Sequence, residues 1–358
     1  MSVSHPRLRP DVELLKGMDD HYLLFDAETG RYHRITPTSA RLIRAMDGSR
    51  DISALADEIL LYNVNRNKEV ATFVSQLSEA KLLYGESPTK SITNRIYITP
   101  FLPRFLIFKN FSKIIEPISK LVTAIPTRIF YTIAIIGSLI GYAVGFRVFL
   151  DQTDIFSIRK PEIFLYALAM MTISILIHEA WHGIIAATYS QPVRGLGIVL
   201  FAWVLPIAYV DRTDAYRIKS RSARTAIALA GPISDGWLVG LTCLTIINSV
   251  HTFRETFTLL LAFQLTLLVS NFNPLMHSDG LNAIEAISGI TDLRGRSFKI
   301  IKVALKIQTL PPYLKKITVA EKVFYFGYGT LCLLFSGVIL VFMSYNLLLA
   351  LKAISGIH

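Results

Sequence analysis

The chain has 358 residues, of which 52% are hydrophobic and only 18% charged, so a large part of it must face lipid rather than water. Its formal charge of +11 has a simpler use in cytoplasmic loops and against anionic headgroups than in nucleic-acid binding. The two cysteines, Cys243 and Cys332, both lie in apolar stretches, which excludes a disulfide framework and a CxxC-type zinc site.

Residues 1–88 read as a small soluble α+β module. No apolar core of signal-peptide type is present at the N-terminus, so this part is expected to stay in the cytoplasm. Tyr22–Phe25 and Arg31–Ile35 flank Asp26–Ala27–Glu28–Thr29–Gly30 as a β-hairpin with a Gly-containing turn. Thr36 or Thr38 caps a helix running through Met46, and Asp51 caps a second that carries Ile52, Leu55, Ala56 and Ile59. A third is expected from Asn67 to Leu83, carrying Val70, Phe73, Leu77 and Leu82–Leu83. A hairpin followed by three short helices is winged-helix-like. None of these helices has the dense basic face that DNA reading requires, so nucleic acid is not expected as a partner.

Residues 89–128 mix prolines, including Pro100, Pro103, Pro117 and Pro126, with aromatic, aliphatic and basic residues. This is the pattern of an interfacial, partly helical segment or of a plain linker. From residue 129 to 358 the chain reads as a polytopic helical bundle. Spans are expected at about 129–150, 163–188, 225–249, 256–276 and 323–351, each near the roughly 20 apolar residues a crossing needs. Gly195–Val210 is apolar but shorter and contains Pro206, so it reads as a re-entrant or hairpin element. The segment before the first span holds 18 Lys and Arg, the 189–223 loop five and the 277–322 loop eight. The other loops hold only Arg159, Lys160 and Arg254. The positive-inside rule then puts the N-terminus in the cytoplasm and the C-terminus outside.

In the second span, His178–Glu179–Ala180–Trp181–His182 carries two histidines at i and i+4. On a helix they share one face, which suits two imidazole ligands of one Zn²⁺ ion. Glu179, beside the first histidine, is positioned to take a proton from activated water. Such a cluster inside lipid is costly unless it is paired or metal-bound. Catalytic zinc takes a third protein ligand, and the fourth span ends in Asn273–Pro274–Leu275–Met276–His277–Ser278–Asp279–Gly280, where both Asp279 and His277 are chemically able to serve. Spans two and four both run inward, so these ends meet the same side of the membrane.

These residues resemble the site-2 protease (M50) family of intramembrane zinc metallopeptidases. The resemblance implies His178, His182 and Asp279 as zinc ligands and Glu179 as the catalytic base, and gives His277 no ligand role. Asn273 and His277 stand as candidates for contact with substrate or with the metal ligands. Leu205–Asp211, Asp214–Tyr216 and Ala230–Gly231–Pro232 are similar to the peptide zinc metalloprotease branch, whose members occur beside genes for ribosomally made, modified peptides. This chain departs from that branch at Asp235, where Asn is common, and at Leu281–Asn282, which replace an aromatic pair. Asp235 lies about 16 Å into span three, near the depth of Glu179, and is a candidate for orienting substrate or water, or for a protonated structural role. The N-terminal module, with DAETGRYHRIT, TPTSARLIRAMDG and DISALADEI, resembles PqqD-like peptide-recognition domains, which capture a leader peptide by strand addition.

The expected function is a membrane zinc endopeptidase acting in or near the leader of a modified precursor peptide, with modifying enzymes or an exporter as further partners. The alternatives are a regulatory intramembrane protease that cuts a transmembrane signalling protein, and a non-catalytic subunit for peptide export or immunity.

Overall fold

The structure, a computed structural model, describes residues 5–16, 22–26, 31–59, 65–86, 96–97, 104–108, 111–151, 160–191, 193, 195–201, 205–210, 218, 220–249, 251–290, 292–310, 314 and 317–355. Of the segments singled out above, Ala27–Gly30, Asp211 and Asp214–Tyr216 lie outside these residues. The chain divides into two units, residues 1–267 and 268–358.

The first unit opens with an antiparallel sheet in the order β1 (Val12–Lys16), β2 (Tyr22–Asp26), β3 (Arg31–Ile35). The expected hairpin is the β2–β3 pair, with Tyr22 opposite Ile35 and Asp26 opposite Arg31. Strand β1 was not foreseen; its Val-Glu-Leu-Leu-Lys run is too short to show a clear period on its own. Helix α1 (Pro37–Ala45) starts where Thr36 Oγ1 accepts the Ser39 N–H at 3.1 Å, with Pro37 at its first position. Helix α2 (Ile52–Ile59) starts where Asp51 Oδ1 accepts from Ala54 N at 2.7 Å.

Helix α3 (Arg66–Glu79) stops four residues before the expected Leu83. Lys81 takes φ = 60°, Lys81 N donates to Ser78 O, and Leu82 N donates back to Leu77 O. This pair of bonds is a Schellman stop with a lysine in the position glycine usually fills. The turn drives Leu82 and Leu83 into the core, where both are fully buried, and Leu83 bridges to Leu8. Leu24, Leu42, Leu55, Val70 and Leu77 complete that core. Arg9 crosses its edge in a buried ion pair to Asp26 at 2.7 Å.

A second sheet, antiparallel throughout, runs β4 (Ile96–Tyr97), β5 (Arg104–Phe108), β6 (Leu196–Phe201), β7 (Leu205–Val210). The 195–210 stretch is therefore a hairpin and not a re-entrant helix. Pro206 is tolerated because β7 is an edge strand. Helix α4 (Phe111–Ala124) packs Phe111 and Ile115 against Ile184 and Ile185 of α6 (Pro161–Thr188).

Helices α5 (Thr127–Leu150), α6, α7 (Arg221–Asn248) and α8 (His251–Phe272) are long and apolar enough to cross a membrane. Their outward faces carry Ile129, Ile133, Ile136, Leu139, Ile140, Leu165, Leu241 and Ile247, all exposed, which only lipid makes tolerable. Between α5 and α7 the contact is made by small residues. A Cβ on Gly141 would lie 1.9 Å from Gly236 O, one on Gly236 2.2 Å from Ser138 Oγ, and one on Gly145 2.3 Å from Val239 Cγ1. Lipid tails give no hydrophobic drive for helix pairing, so close backbone approach supplies the attraction.

In the second unit α8 ends at Phe272, four residues short of the expected 276, because Asn273–Pro274 breaks it and Asn273 Oδ1 accepts from Leu275 N. Ser278 then caps α9 (Asp279–Ser288), followed by α10 (Leu293–Ala304) and α11 (Val319–Ser355). Residues 319–345 of α11 are a fifth stretch apolar enough to span, so the described helices are compatible with a multi-pass membrane protein. Leu281, Leu293, Ile300, Leu314 and Tyr325 form the core of this unit.

Candidate metal centre

Along α6, Ile163, Ala167, Met171, Ser174, His178 and His182 are all buried. Their spacing of three and four residues is one helical stripe, turned away from lipid. The opposite wall is α7. Its Pro232 has no N–H to close the turn onto Ala228, which opens the helix at the level of the site. One residue before that opened turn, the Ile227 carbonyl is 2.7 Å from His182 Nδ1. About two turns further along α7, Asp235 Oδ2 is 2.8 Å from His178 Nδ1, with both side chains about 95% buried.

These two contacts set the chemistry of the rings. A carbonyl only accepts, so His182 Nδ1 carries the proton and His182 Nε2 presents a lone pair. His178 Nε2 lies 3.1 Å from it, and the ring planes are nearly perpendicular. With Asp235 accepting from His178 Nδ1, both Nε2 atoms face one gap, at a separation that a shared proton or a bound metal ion satisfies. Zinc at about 2.0–2.1 Å from each nitrogen in a tetrahedral site would set them about 3.3 Å apart, so the donor set fits that ion. The group His178, Glu179 and His182 has its ligand atoms within 4.8 Å of one another and is the metal-capable cluster among the described residues.

Gly231 forms the wall nearest the gap. A Cβ there would lie 2.5 Å from His178 Nε2 and from His182 Nε2. Glu179, half-buried, is oriented from the sheet: the Val210 N–H at the end of β7 donates to its Oε2 at 3.0 Å. One turn from His178, Ser174 Oγ accepts from Gln264 Nε2 at 3.3 Å, which adds a buried polar contact above the site.

In the second unit, Asp279 is buried in the first turn of α9, held there by the Ser278 cap and by Gly280. A Cβ on Gly280 would crowd the Phe272 backbone at 2.9 Å. Asn273 folds back on its own turn through Oδ1 and accepts from Ser278 Oγ at its carbonyl. His277 is exposed in the same turn; partial desolvation and the Arg294 charge hold its imidazole below the usual histidine range.

Four features of the site were not read from sequence. The Ile227 carbonyl, the Val210 N–H and the Gln264 amide reach it through backbone turns or from other elements and leave no pattern. Gly231 did leave one, the Gly-Pro pair that precedes Asp235. Asp235, a candidate for orienting substrate or water, lies 2.8 Å from His178 Nδ1.

Comparison with known proteins bears on the N-terminal domain. Residues 21–83 match the profile of the family described as coenzyme PQQ synthesis protein D (PqqD). This segment is a PqqD-like domain. Over 144 residues the chain is 28% identical to an uncharacterised protein of Methanocaldococcus jannaschii, a match covering 35% of this chain and 39% of that relative. The match thus spans well under half of the relative's length. A solved structure, TbiB1 in complex with the TbiA(beta) leader peptide, is 21% identical; the match covers 23% of this chain and 98% of that one, with a TM-score of 0.20.

Proposed function

We propose that the chain is a membrane zinc endopeptidase that cuts a ribosomally made precursor peptide, which its PqqD-like domain recognises. The observation that carries the metal reading is the pair of Nε2 atoms of His178 and His182 converging at 3.1 Å from rings anchored at their far nitrogens. In this reading His178 and His182 hold the ion, with Glu179 beside them. When bound, zinc supplies Lewis acidity toward a peptide carbonyl and a lowered pKa for water. Asp235 and the Ile227 carbonyl keep the two imidazoles oriented. Val210 fixes one oxygen of Glu179, and Oε1 then takes the proton of the attacking water and returns it to the leaving amine. The apolar surroundings exclude other water, so the substrate enters as an extended strand.

The PqqD-like domain supports a peptide substrate. Its three-stranded sheet has β1 and β3 at its edges, either of which can accept a leader as an added strand. The charge bias of the loops supports a cytoplasmic N-terminus and an external C-terminus, on the side opposite to where precursor is made. The test uses the full chain in proteoliposomes with precursor peptides encoded beside its gene, read by mass spectrometry. A single new cleavage is expected with the native chain and none with Glu179→Gln. Processing by Glu179→Gln at the native rate would remove the proposal.

A further inference from the structure

Helices α6 and α7 meet along one seam, with His178 and His182 on one side and Ile227, Gly231 and Asp235 on the other. Ile177, Trp181 and Ile185 of α6 face Ala226, Ala230 and Trp237 of α7 across a cavity of about 360 Å³, closed on its third side by the start of α5. The metal seam is thus one edge of this cavity.

The wall specifies the chemistry of its occupant. Of the polar side chains that line it, Ser234 donates to Gly231 O at 2.7 Å and Trp237 Nε1 donates to Ala134 O at 3.0 Å. The Tyr131 hydroxyl is paired with that of Tyr189 at 3.3 Å. These groups are already bonded to protein, so apart from the Trp181 indole N–H the lining offers a hydrocarbon surface. It also continues the lipid-facing surface: Ile133 and Trp237 belong to the lining and are 57% and 50% exposed. The α7 lining from Ala226 to Leu238 covers about 18 Å of helix rise, against about 15 Å for the hydrocarbon of one leaflet.

Two exposed cations lie close to the lining along the chain. Arg128 lies between the lining residues Ile125 and Phe130, and Arg221 opens α7 about 7.5 Å of helix rise before Ala226. A single-leaflet hydrocarbon slot with cations close to its lining has the form of a phospholipid. We infer that this cavity holds one acyl chain of a membrane phospholipid whose phosphate sits at Arg128 and Arg221, wedged behind the metal seam. The inference does not depend on the chain being a protease.

The test keeps Trp181 as the sole fluorophore, through Trp203→Phe and Trp237→Phe in the full chain, in detergent. The probe is phosphatidylglycerol with a dibrominated acyl chain. Saturable quenching at one lipid per chain is expected. Ala134→Phe, which fills the cavity, should abolish that saturable phase, and Arg128→Gln or Arg221→Gln should weaken it about five-fold each. Quenching that never saturates, or that Ala134→Phe leaves intact, overturns the inference. So does competition by a precursor peptide, which would make the cavity a substrate subsite. Should Ala134→Phe fail to fold, native mass spectrometry of the unmodified chain decides. One phospholipid retained per chain supports the lipid site, and none retained overturns it.

Discussion

In the PqqD-like domain the large side chains buried most completely are Leu24, Leu55, Leu82, Leu83 and Val70; on the seam between α5 and α7 the buried positions include Ser138, Gly141, Gly145 and Gly236. The first set is what water selects. Each large aliphatic group removed from water contributes roughly 1.5–3 kcal/mol, so the domain concentrates them inside. The second set is what lipid selects. Leucine gains little by leaving hydrocarbon, so the bundle leaves many leucines and isoleucines on its outer face and brings the α5 and α7 backbones together along this seam. The inverted rule also explains where the chemistry sits. The bundle interior shelters His178, His182 and Asp235, which the surrounding lipid would otherwise make prohibitive.

The contrast predicts opposite sensitivities to size. Leu24→Ala should destabilise the PqqD-like domain by about 2–5 kcal/mol, read by chemical denaturation followed through protease resistance of the first 90 or so residues. In the bundle the damaging change is enlargement: Gly141→Leu collides with the Gly236 carbonyl and should prevent recovery of folded protein from membranes. Leu139→Ala, on the lipid face at 63% exposure, should leave yield and thermal stability nearly unchanged. If Leu139→Ala were as harmful as Gly141→Leu, the contrast would fail.

At the site the expected effects are smaller in stability and larger in binding. Gly231→Ala puts a methyl group into the gap between the two Nε2 atoms and should abolish tight zinc binding while the protein still folds. Asp235→Asn keeps the size of the group but weakens its hold on His178. Zinc affinity should fall about 10–100-fold in chelator competition, and the absorption spectrum of the cobalt-substituted protein should shift. An unchanged affinity would reduce Asp235 to a packing role.

The smallest effect concerns acid stability. The Ser49 hydroxyl and N–H bonds hold the Asp47 carboxyl below the usual aspartate range, so its contribution is present at neutral pH and lost as pH falls through that lowered value. Asp47→Asn should therefore flatten the acid limb of the domain's unfolding curve and change little at neutral pH.

The five long apolar segments, the hairpin and three helices of the N-terminal domain, and the two histidines were legible because periodicity and hydropathy act locally. What escaped was decided between distant parts of the chain. The end of α3 depends on a lysine accepting a left-handed turn so that Leu82 and Leu83 can be buried, a gain visible only once the core exists. Strand β5 is called into being by pairing with β6, some 90 residues on, and β4 pairs on β5; their own residues read as an interfacial segment. The Gly137-xxx-Gly141-xxx-Gly145 and Gly236-xxx-Gly240 spacings were present in the sequence and announce the α5–α7 seam; they are a signal of membrane packing, whereas hydropathy alone announces only the spans.

The central claim, that the converging imidazoles of His178 and His182 hold a metal, is tested most directly by elemental analysis of the full chain purified without added metal or chelator. The account predicts one zinc per chain, lost in His182→Ala and retained in Glu179→Gln. Native protein that folds and contains no zinc, and takes up none when it is offered, would contradict it.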